Sequence, residues 1–306
     1  MRIRYLRYFL VVAEELSFSR ASARLNIEPS PLSRAIKELE AQLGVSLLHR
    51  RKGRIRLTWA GEVFQEEARR ILSFIEDAKS RTVSASKGYR GRLRIGLADS
   101  LAQPRMAQLL ARCREEEPLT EIRIVEMTLN EMLRALGRGQ IDAGFTVAGE
   151  AAGPYRKERV WSEHPAIALP RRHPLLALEK ISFRDMLPYP LILCHPETCA
   201  SGHDMIRRWF SESALTLPVP AEFVSGHESM LMLVAAGYGI GIGLESQVSL
   251  YNHPEVIVRP AVEGVSLAET FIIFPEEPPS PELVRFIERA RDIGGQRDLS
   301  PSMKVL

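Results

Sequence analysis

The 306-residue chain has no run of eighteen apolar residues and only three cysteines, Cys113, Cys194 and Cys199. The first absence argues against a membrane span. The second excludes a disulfide framework and points to a reducing, cytoplasmic setting. A secretory leader is not expected either. Glu14 and Glu15 interrupt the apolar stretch of MRIRYLRYFLVVAEELSFS, whose apolar residues keep helical spacing. Nucleophile elbows, phosphate loops and dinucleotide fingerprints are also missing. The glycines of GYGIGIG at 237–243 lack the G-x-G-x-x-G spacing. The expectation is therefore no catalytic residues, no cofactor and no resident metal. An enzyme is the main rival class, since α/β bodies with clefts are common, and a solute-binding protein would leave the basic head unexplained.

A strong net charge is absent as well, yet the total of +3 hides an asymmetry. Residues 1–90 hold 18 Lys/Arg against 10 Asp/Glu, and the remainder 23 against 28. A basic first third on a mildly acidic body suggests a polyanion-binding head. Within it, Phe18, Ala21, Ser22 and Leu25 fall at i, i+3, i+4, i+7, and Leu32, Ile36, Leu39 and Leu43 line one face of a second helix. Ser30 suits the N-cap of that helix, Pro31 its first position and Gly44 its stop. Ser33, Arg34 and Lys37 then face outward, as a helix lying in a DNA major groove requires. Leu6, Phe9, Leu10 and Ala13 form a stripe to pack beneath. After Gly44, HRRKGRIR reads as a β-hairpin with its tip at Lys52-Gly53. Arg50, Arg51, Lys52, Arg54 and Arg56 would meet backbone phosphates.

From Thr58, a plausible N-cap, Ala60, Phe64, Ala68, Ile71, Ile75, Ala78 and Thr82 approach a heptad seam. With no partner helix nearby in sequence, a second copy of the same helix is the simplest partner, giving a homodimer. SASKGYRG at 84–91 reads as a linker. Beyond it strands and helices alternate, which indicates parallel sheets, and about two hundred residues of such chain suggest two subdomains with a cleft. Strands are read at Leu93–Leu97, 122–126, Ile141–Phe145, Ala166–Leu169, Leu191–Leu193, Ala221–Val224, Ile240–Ile242, Val256–Val258 and Thr270–Phe274.

SFSRASARL, PLSRAIKELEAQLGVSLLHR and LTWAG, in this order, resemble the DNA-binding head of LysR-type transcriptional regulators. IDAGF and LVAAGYGIGI extend the resemblance over nearly the whole chain. It implies an α+β multidomain chain: an N-terminal winged helix-turn-helix (1–57), a long linker or dimerisation helix (58–87), and a C-terminal α/β two-lobed effector domain (91–295) resembling periplasmic binding proteins. Lobe I would take 91–162 and 269–295, and lobe II 163–268, with crossovers near Ser162–Pro165 and Ser266–Glu269. The implied partners are double-stranded operator DNA, a small-molecule effector, RNA polymerase and further copies of the chain as a tetramer. Pro29 and Ala35 stand where the family commonly has glutamine on or beside the groove-facing surface. Operator contact would then rest on Ser30, Pro31, Ser33, Arg34 and Lys37.

Ser100, Thr128-Leu129-Asn130-Glu131, Ser201-Gly202-His203-Asp204 and Ser225-Gly226-His227-Glu228 each read as a cap following a strand. Helix N-termini converging at the carboxyl ends of strands favour an anion. A small carboxylate effector is therefore expected, lined by Ser100, Thr128, Thr198, Ser201 and His227, and the family resemblance implies one derived from an aromatic. Cys194 and Cys199 are separated by four residues, with His195 and His203 close by, and leave a redox- or metal-responsive regulator as the alternative.

Overall fold

The computed structural model describes residues 1–51, 54–98, 104–147, 153–250, 253–262 and 264–295, with only the backbone at 50, 51, 54, 249 and 250. Two compact units divide the chain, the first built on Met1–Ser86 and the second on Lys87 onward.

In the first unit, α1 (Ile3–Glu15), α2 (Phe18–Leu25) and α3 (Pro29–Leu43) enclose Phe9, Val12, Ala21, Leu32, Ile36 and Leu39, all fully buried. Ser17 caps α2 by accepting the Arg20 N–H, and Gly44 ends α3 in the left-handed region at φ 73°. The start of α3 differs from the sequence reading. Its N-cap is Glu28 and Pro29 takes the first position, because a proline already holds φ at the helical value there. Ser30 is thus a helical residue, and its hydroxyl accepts from Arg34 Nη2 at 3.2 Å.

β1 (Leu48–Arg51) pairs antiparallel with β2 (Arg54–Leu57), Arg51 opposite Arg54, and the tip residues Lys52 and Gly53 lie outside the described residues. Glu40 on α3 anchors this hairpin: its Oε1 accepts the Leu47 and Leu48 N–H groups at 2.9 and 3.1 Å. Thr58 then opens α4 (Trp59–Ser86), accepting from Gly61 N–H while donating to Ser46 O at 2.7 Å. The first half of the expected α4 seam has a partner within the head. Phe64 packs on Phe9 with ring centroids 5.2 Å apart, and Ala68 is fully buried. Farther along, Ile71 and Phe74 stay exposed, Phe74 by 74%.

The second unit contains two five-stranded sheets. The first holds β3 (Gly91–Leu97), β4 (Thr120–Glu126), β5 (Ala143–Thr146), β6 (Tyr155–Glu163) and β12 (Ala268–Pro275) in the order β4-β3-β5-β12-β6. The second holds β7 (Pro165–Pro170), β8 (Leu191–Cys194), β9 (Glu222–Val224), β10 (Ile240–Leu244) and β11 (Val256–Pro260) in the order β11-β7-β10-β8-β9. Both sheets are mixed rather than parallel throughout. β3, β4 and β5 run parallel, and β12 pairs antiparallel with both β5 and β6; β8, β9 and β10 run parallel, and β7 pairs antiparallel with both β10 and β11. The reversed strand in each sheet is the one that enters by a passage from the other sheet, β7 after His164 and β12 after residues 261–267. A strand entering from the other lobe arrives from the opposite end.

The helices are α5 (Pro104–Glu116), α6 (Leu129–Gly137), α7 (Phe183–Met186), α8 (Ala200–Glu212), α9 (His227–Ala235), α10 (Glu245–Leu250) and α11 (Pro281–Gly295). One apolar cluster runs through both lobes and includes Phe145, Trp161, Ile167, Trp209, Ile272 and Phe286. Among the described residues no helix is long and apolar enough to cross a membrane.

Arg285 and Arg289 on α11 fasten it to the end of α5. Arg289 donates to Glu116 at 2.6 Å and to Glu117 at 2.7 Å, and Arg285 donates to both Glu117 oxygens. The Arg285 bond first, then those of Arg289, hold the Glu117 carboxyl at about 2. A carboxylate with a lowered folded value stabilises the fold above its unfolded value and loses that contribution as pH falls toward the folded value. Glu117→Gln should therefore destabilise the second unit by on the order of 1–3 kcal/mol at pH 7 in urea unfolding. The gap to wild type should shrink as pH drops below about 4.5, the ordinary value. A gap unchanged between pH 7 and pH 4 would assign the loss to packing instead of charge.

Candidate DNA-reading helix and interlobe site

On α3 the apolar positions turn inward and leave Ser30, Pro31, Arg34 and Lys37 exposed, with Ser33 half-buried. Five candidate DNA contacts thus share the outer surface of one helix, four of them within its first two turns. Ala35 does not belong to that surface. It is 6% exposed and sits in the head core with Leu32 and Ile36, so its small size serves packing. In the hairpin Arg56 is exposed, and Arg50, Arg51 and Arg54 fall on its backbone positions. Sequence reasoning missed Glu40. Its bonds to the hairpin are made across seven and eight residues, which helical periodicity does not register.

The expected effector residues fall into distinct environments. Ser100 lies outside the described residues. Thr128 makes a complete capping box at α6: its N–H and hydroxyl donate to Glu131, and Glu131 N–H donates back to its Oγ1 at 3.3 Å. The two other capping readings are corrected. α8 begins at Ala200 with Cys199 as N-cap and no side-chain cap, because Cys199 N–H already closes a turn on His195 O at 3.0 Å. Ser201 is therefore inside the helix, 4% exposed, and its hydroxyl accepts from Thr146 Oγ1 of β5 at 3.4 Å. At α9 the N-cap is Gly226, and the Ser225 hydroxyl bonds Thr198 Oγ1 at 2.6 Å instead of capping.

His227 lines a narrow cavity at the junction of the lobes, and Ser201 precedes another lining residue, Gly202. The cavity is lined by Val147 after β5, Cys194 and Cys199 around β8, Gly202 on α8, His227 on α9 and Gln247 on α10, among others. The space for a water-sized centre is about 10 Å³, room for roughly one water. Neither lysine nor arginine occurs among these lining residues. Thr146 and Gln247, both buried, are members of this junction that the sequence reading did not single out. A Cβ placed on Gly202 would lie 2.9 Å from both the Cys194 and Cys199 sulfurs. The two sulfurs are thus no farther apart than twice that distance. Among the described residues no group of three or more His, Cys, Asp or Glu side chains is placed to hold a metal ion.

Among the described residues His227 has no hydrogen-bond partner for its ring, and burial pushes its value down to about 4. The imidazole is neutral at pH 7. As pH falls below the ordinary 6.5, the unfolded chain takes up a proton that the folded chain refuses until about 4, so stability is lost across that window. The wild type should lose on the order of 2 kcal/mol relative to His227→Gln between pH 7 and pH 5 in denaturant unfolding. Parallel pH profiles for the two proteins would refute the desolvated imidazole.

Comparison with known proteins agrees with this two-part architecture. Residues 3–62 match the family model of the bacterial regulatory helix-turn-helix protein, lysR family, and residues 86–294 match the LysR substrate binding domain. The uncharacterized HTH-type transcriptional regulator YnfL of Escherichia coli is 32% identical over 90% of this chain and 93% of its own length. AlsR of Bacillus subtilis, an HTH-type transcriptional regulator, is 31% identical over 94% of both. Among solved structures, the LysR family transcriptional regulator CbnR superposes with a TM-score of 0.70 at 26% identity, covering 96% of this chain and 99% of that one. The chain belongs to the LysR family of DNA-binding transcriptional regulators, with a helix-turn-helix head and an effector-binding domain.

Proposed function

We propose that residues 1–57 read an operator, residues 58–87 pair two copies of the chain, and residues 91–295 bind a small effector between lobes that meet near residues 163 and 268. The observation that carries the DNA reading is the exposed surface of α3, where Arg34 and Lys37 are exposed while Leu32, Ile36 and Leu39 are fully buried. Arg34 is assigned to base reading, the geometry of a guanidinium on guanine. Ser30, Pro31 and Ser33 position the helix, and Arg50, Arg51, Lys52, Arg54 and Arg56 bind phosphates. The exposed Ile71 and Phe74 on the far half of α4 support pairing of linker helices. The CbnR structure in complex with its target DNA, at a TM-score of 0.60, supports the use of the head. A cytoplasmic regulator that assembles as a tetramer and engages RNA polymerase follows from this reading.

The effector is assigned as a small carboxylate that carries a single negative charge. The first turns of α8 and α9 border the junction and supply N–H groups, and Ser201 and Thr198 supply hydroxyls. With a neutral His227 and no lysine or arginine lining the cavity, a second negative charge would be buried without a counter-ion. Effector binding shifts the balance between two lobe arrangements and, through them, the packing of subunits on DNA.

A second reading is favoured by the two sulfurs facing each other across Gly202. A hydroperoxide would oxidise the Cys194 and Cys199 thiols to a disulfide, giving one alcohol or water from the peroxide and one further water. Intact-mass analysis after hydrogen peroxide treatment, showing loss of two hydrogens that reductant restores, would favour it over the carboxylate.

Footprinting on the DNA upstream of the chain's own gene tests the head. Arg34→Ala should cost about 1–3 kcal/mol at the specific site with little effect on random DNA, whereas Arg56→Ala should weaken both and flatten the salt dependence. Protection that is absent at modest salt would overturn the reading. A thermal-shift panel of mono- and dicarboxylates, including acetate, benzoate and muconate, tests the effector class. Stabilisation confined to monoanions is the expected outcome, and stabilisation by dianions alone would reject it.

A further inference from the structure

Helix α8 has two ends with different attachments. Its first turn borders the interlobe cavity through Cys199 and Gly202, and the buried Ser201 between them bonds Thr146 of the first lobe. Its last turn, about 20 Å away at 1.5 Å per residue, holds the second passage between the lobes. The fully buried Trp209 donates from Nε1 to Ser266 O at 2.7 Å. The Glu212 carboxylate accepts from Ser266 N–H at 2.7 Å and from its hydroxyl at 2.8 Å. Three hydrogen bonds therefore fix one residue of a connecting segment to the end of a helix of the second lobe. β12 of the first lobe begins only two residues later, at Ala268. Leu267, 38% exposed, is the single residue between the clamp and the strand.

The first passage is equally short. β6 ends at Glu163 and β7 begins at Pro165. His164 O accepts Glu245 N–H of α10 at 3.1 Å, and proline restricts the backbone of the residue before it. Most of any change in angle between the lobes must then be absorbed where the second passage leaves its clamp.

We propose that α8 couples occupancy of the interlobe cavity to the second passage. A ligand that displaces the first turn of α8 moves Ser266 through Trp209 and Glu212 and turns β12 about Leu267. This rests on the effector reading above and gives its route of transmission. A rigid helix is a suitable carrier because a packed element shifts as a body. The cavity has room for about one water, so an occupant of several heavy atoms cannot enter without moving its walls. Glu212 and Trp209 are positioning residues here and touch no ligand.

The test uses the full-length chain and no effector. Gly202→Ala puts a methyl against both sulfurs and serves as a wedge under the first turn of α8. Hydrogen exchange of peptides spanning residues 262–270 is compared in wild type, Gly202→Ala, Glu212→Gln and the double variant. The wedge should speed exchange around Ser266 by about threefold or more in wild-type background. Glu212→Gln should raise the basal rate and abolish the response to the wedge, so that the double variant matches the single. Should Gly202→Ala fail to fold, methyl methanethiosulfonate delivers an equivalent wedge to the half-buried Cys194 of the folded wild type, its site confirmed by peptide mass. A wedge that alters exchange near residues 194–206 but not at 262–270, or effects that add in the double variant, would overturn the coupling. Failure here leaves the carboxylate thermal shifts intact, whereas failure of the effector reading removes those shifts and leaves the wedge response.

Discussion

The constraint on which the second unit depends is that its chain must pass twice between two sheets, and must do so through very short connections. One passage is His164 alone; the other is residues 261–267, whose end is tied to α8. Between them stands Glu163, 7% exposed, at the end of the last first-lobe strand before the crossing. A carboxylate so placed must be paired. It accepts from Arg105 of the first lobe at 3.4 Å and from Ser246 of the second at 2.8 Å. The charge is thus neutralised from one side and hydrogen-bonded from the other. That arrangement makes the junction specific in geometry, with Ser246 among the second-lobe groups that hold the carboxylate.

The head solves a different problem with the same economy of contacts. Three helices and a two-stranded hairpin give few residues to bury, so the first half of α4 is recruited to complete the core, with Phe64 against Phe9 and Ala68 sealed. Gly61 shows how close that fit is: a Cβ there would fall 2.1 Å from Leu47 O. The consequence is that the helix proposed to join subunits is also part of the DNA-reading body. Any turn of α4 is passed directly to the core beneath α3, with no flexible residue between the hairpin and the helix except Thr58, which is itself bonded to Ser46 and Gly61.

How much of this the sequence disclosed follows from the range of the interactions involved. The α3 surface was legible because helical spacing alone puts Leu32, Ile36 and Leu39 inward and Arg34 and Lys37 outward. Ala35 and the start of α3 were misread because a small residue carries no hydrophobic signal of its own and because two prolines, Pro29 and Pro31, compete for the first helical position. β6 escaped notice because YRKERVWSE is an edge strand rich in charged residues, with no regular apolar alternation to mark it. The capping boxes at Ser201 and Ser225 failed for a local reason. Cys199 N–H had already closed a turn on His195, and the Ser225 hydroxyl had a nearer partner in Thr198. Contacts such as Glu40 to Leu47 or Glu163 to Ser246 are set by the tertiary fold, and no periodicity announces them.

The size of the interlobe cavity turns ligand binding and lobe movement into one event. In the arrangement seen, this cavity holds no ligand larger than about one water, so every contact a larger one makes there is made only in a displaced arrangement. Its whole binding free energy is then differential, which is the condition for shifting an equilibrium. Moving a population from 1:99 to 99:1 takes about 5.5 kcal/mol. At no more than about 1.5 kcal/mol per non-hydrogen atom, at least four such atoms are needed even in the best case, as many as acetate contains. The proposed carboxylate effector meets this requirement more easily if it also has an apolar body. The walls formed by Val147, Met205, Ile206 and Ile242 offer that body a partner. The polar end is left to the N–H groups of α8 and α9, and so to the helix whose far end holds Ser266.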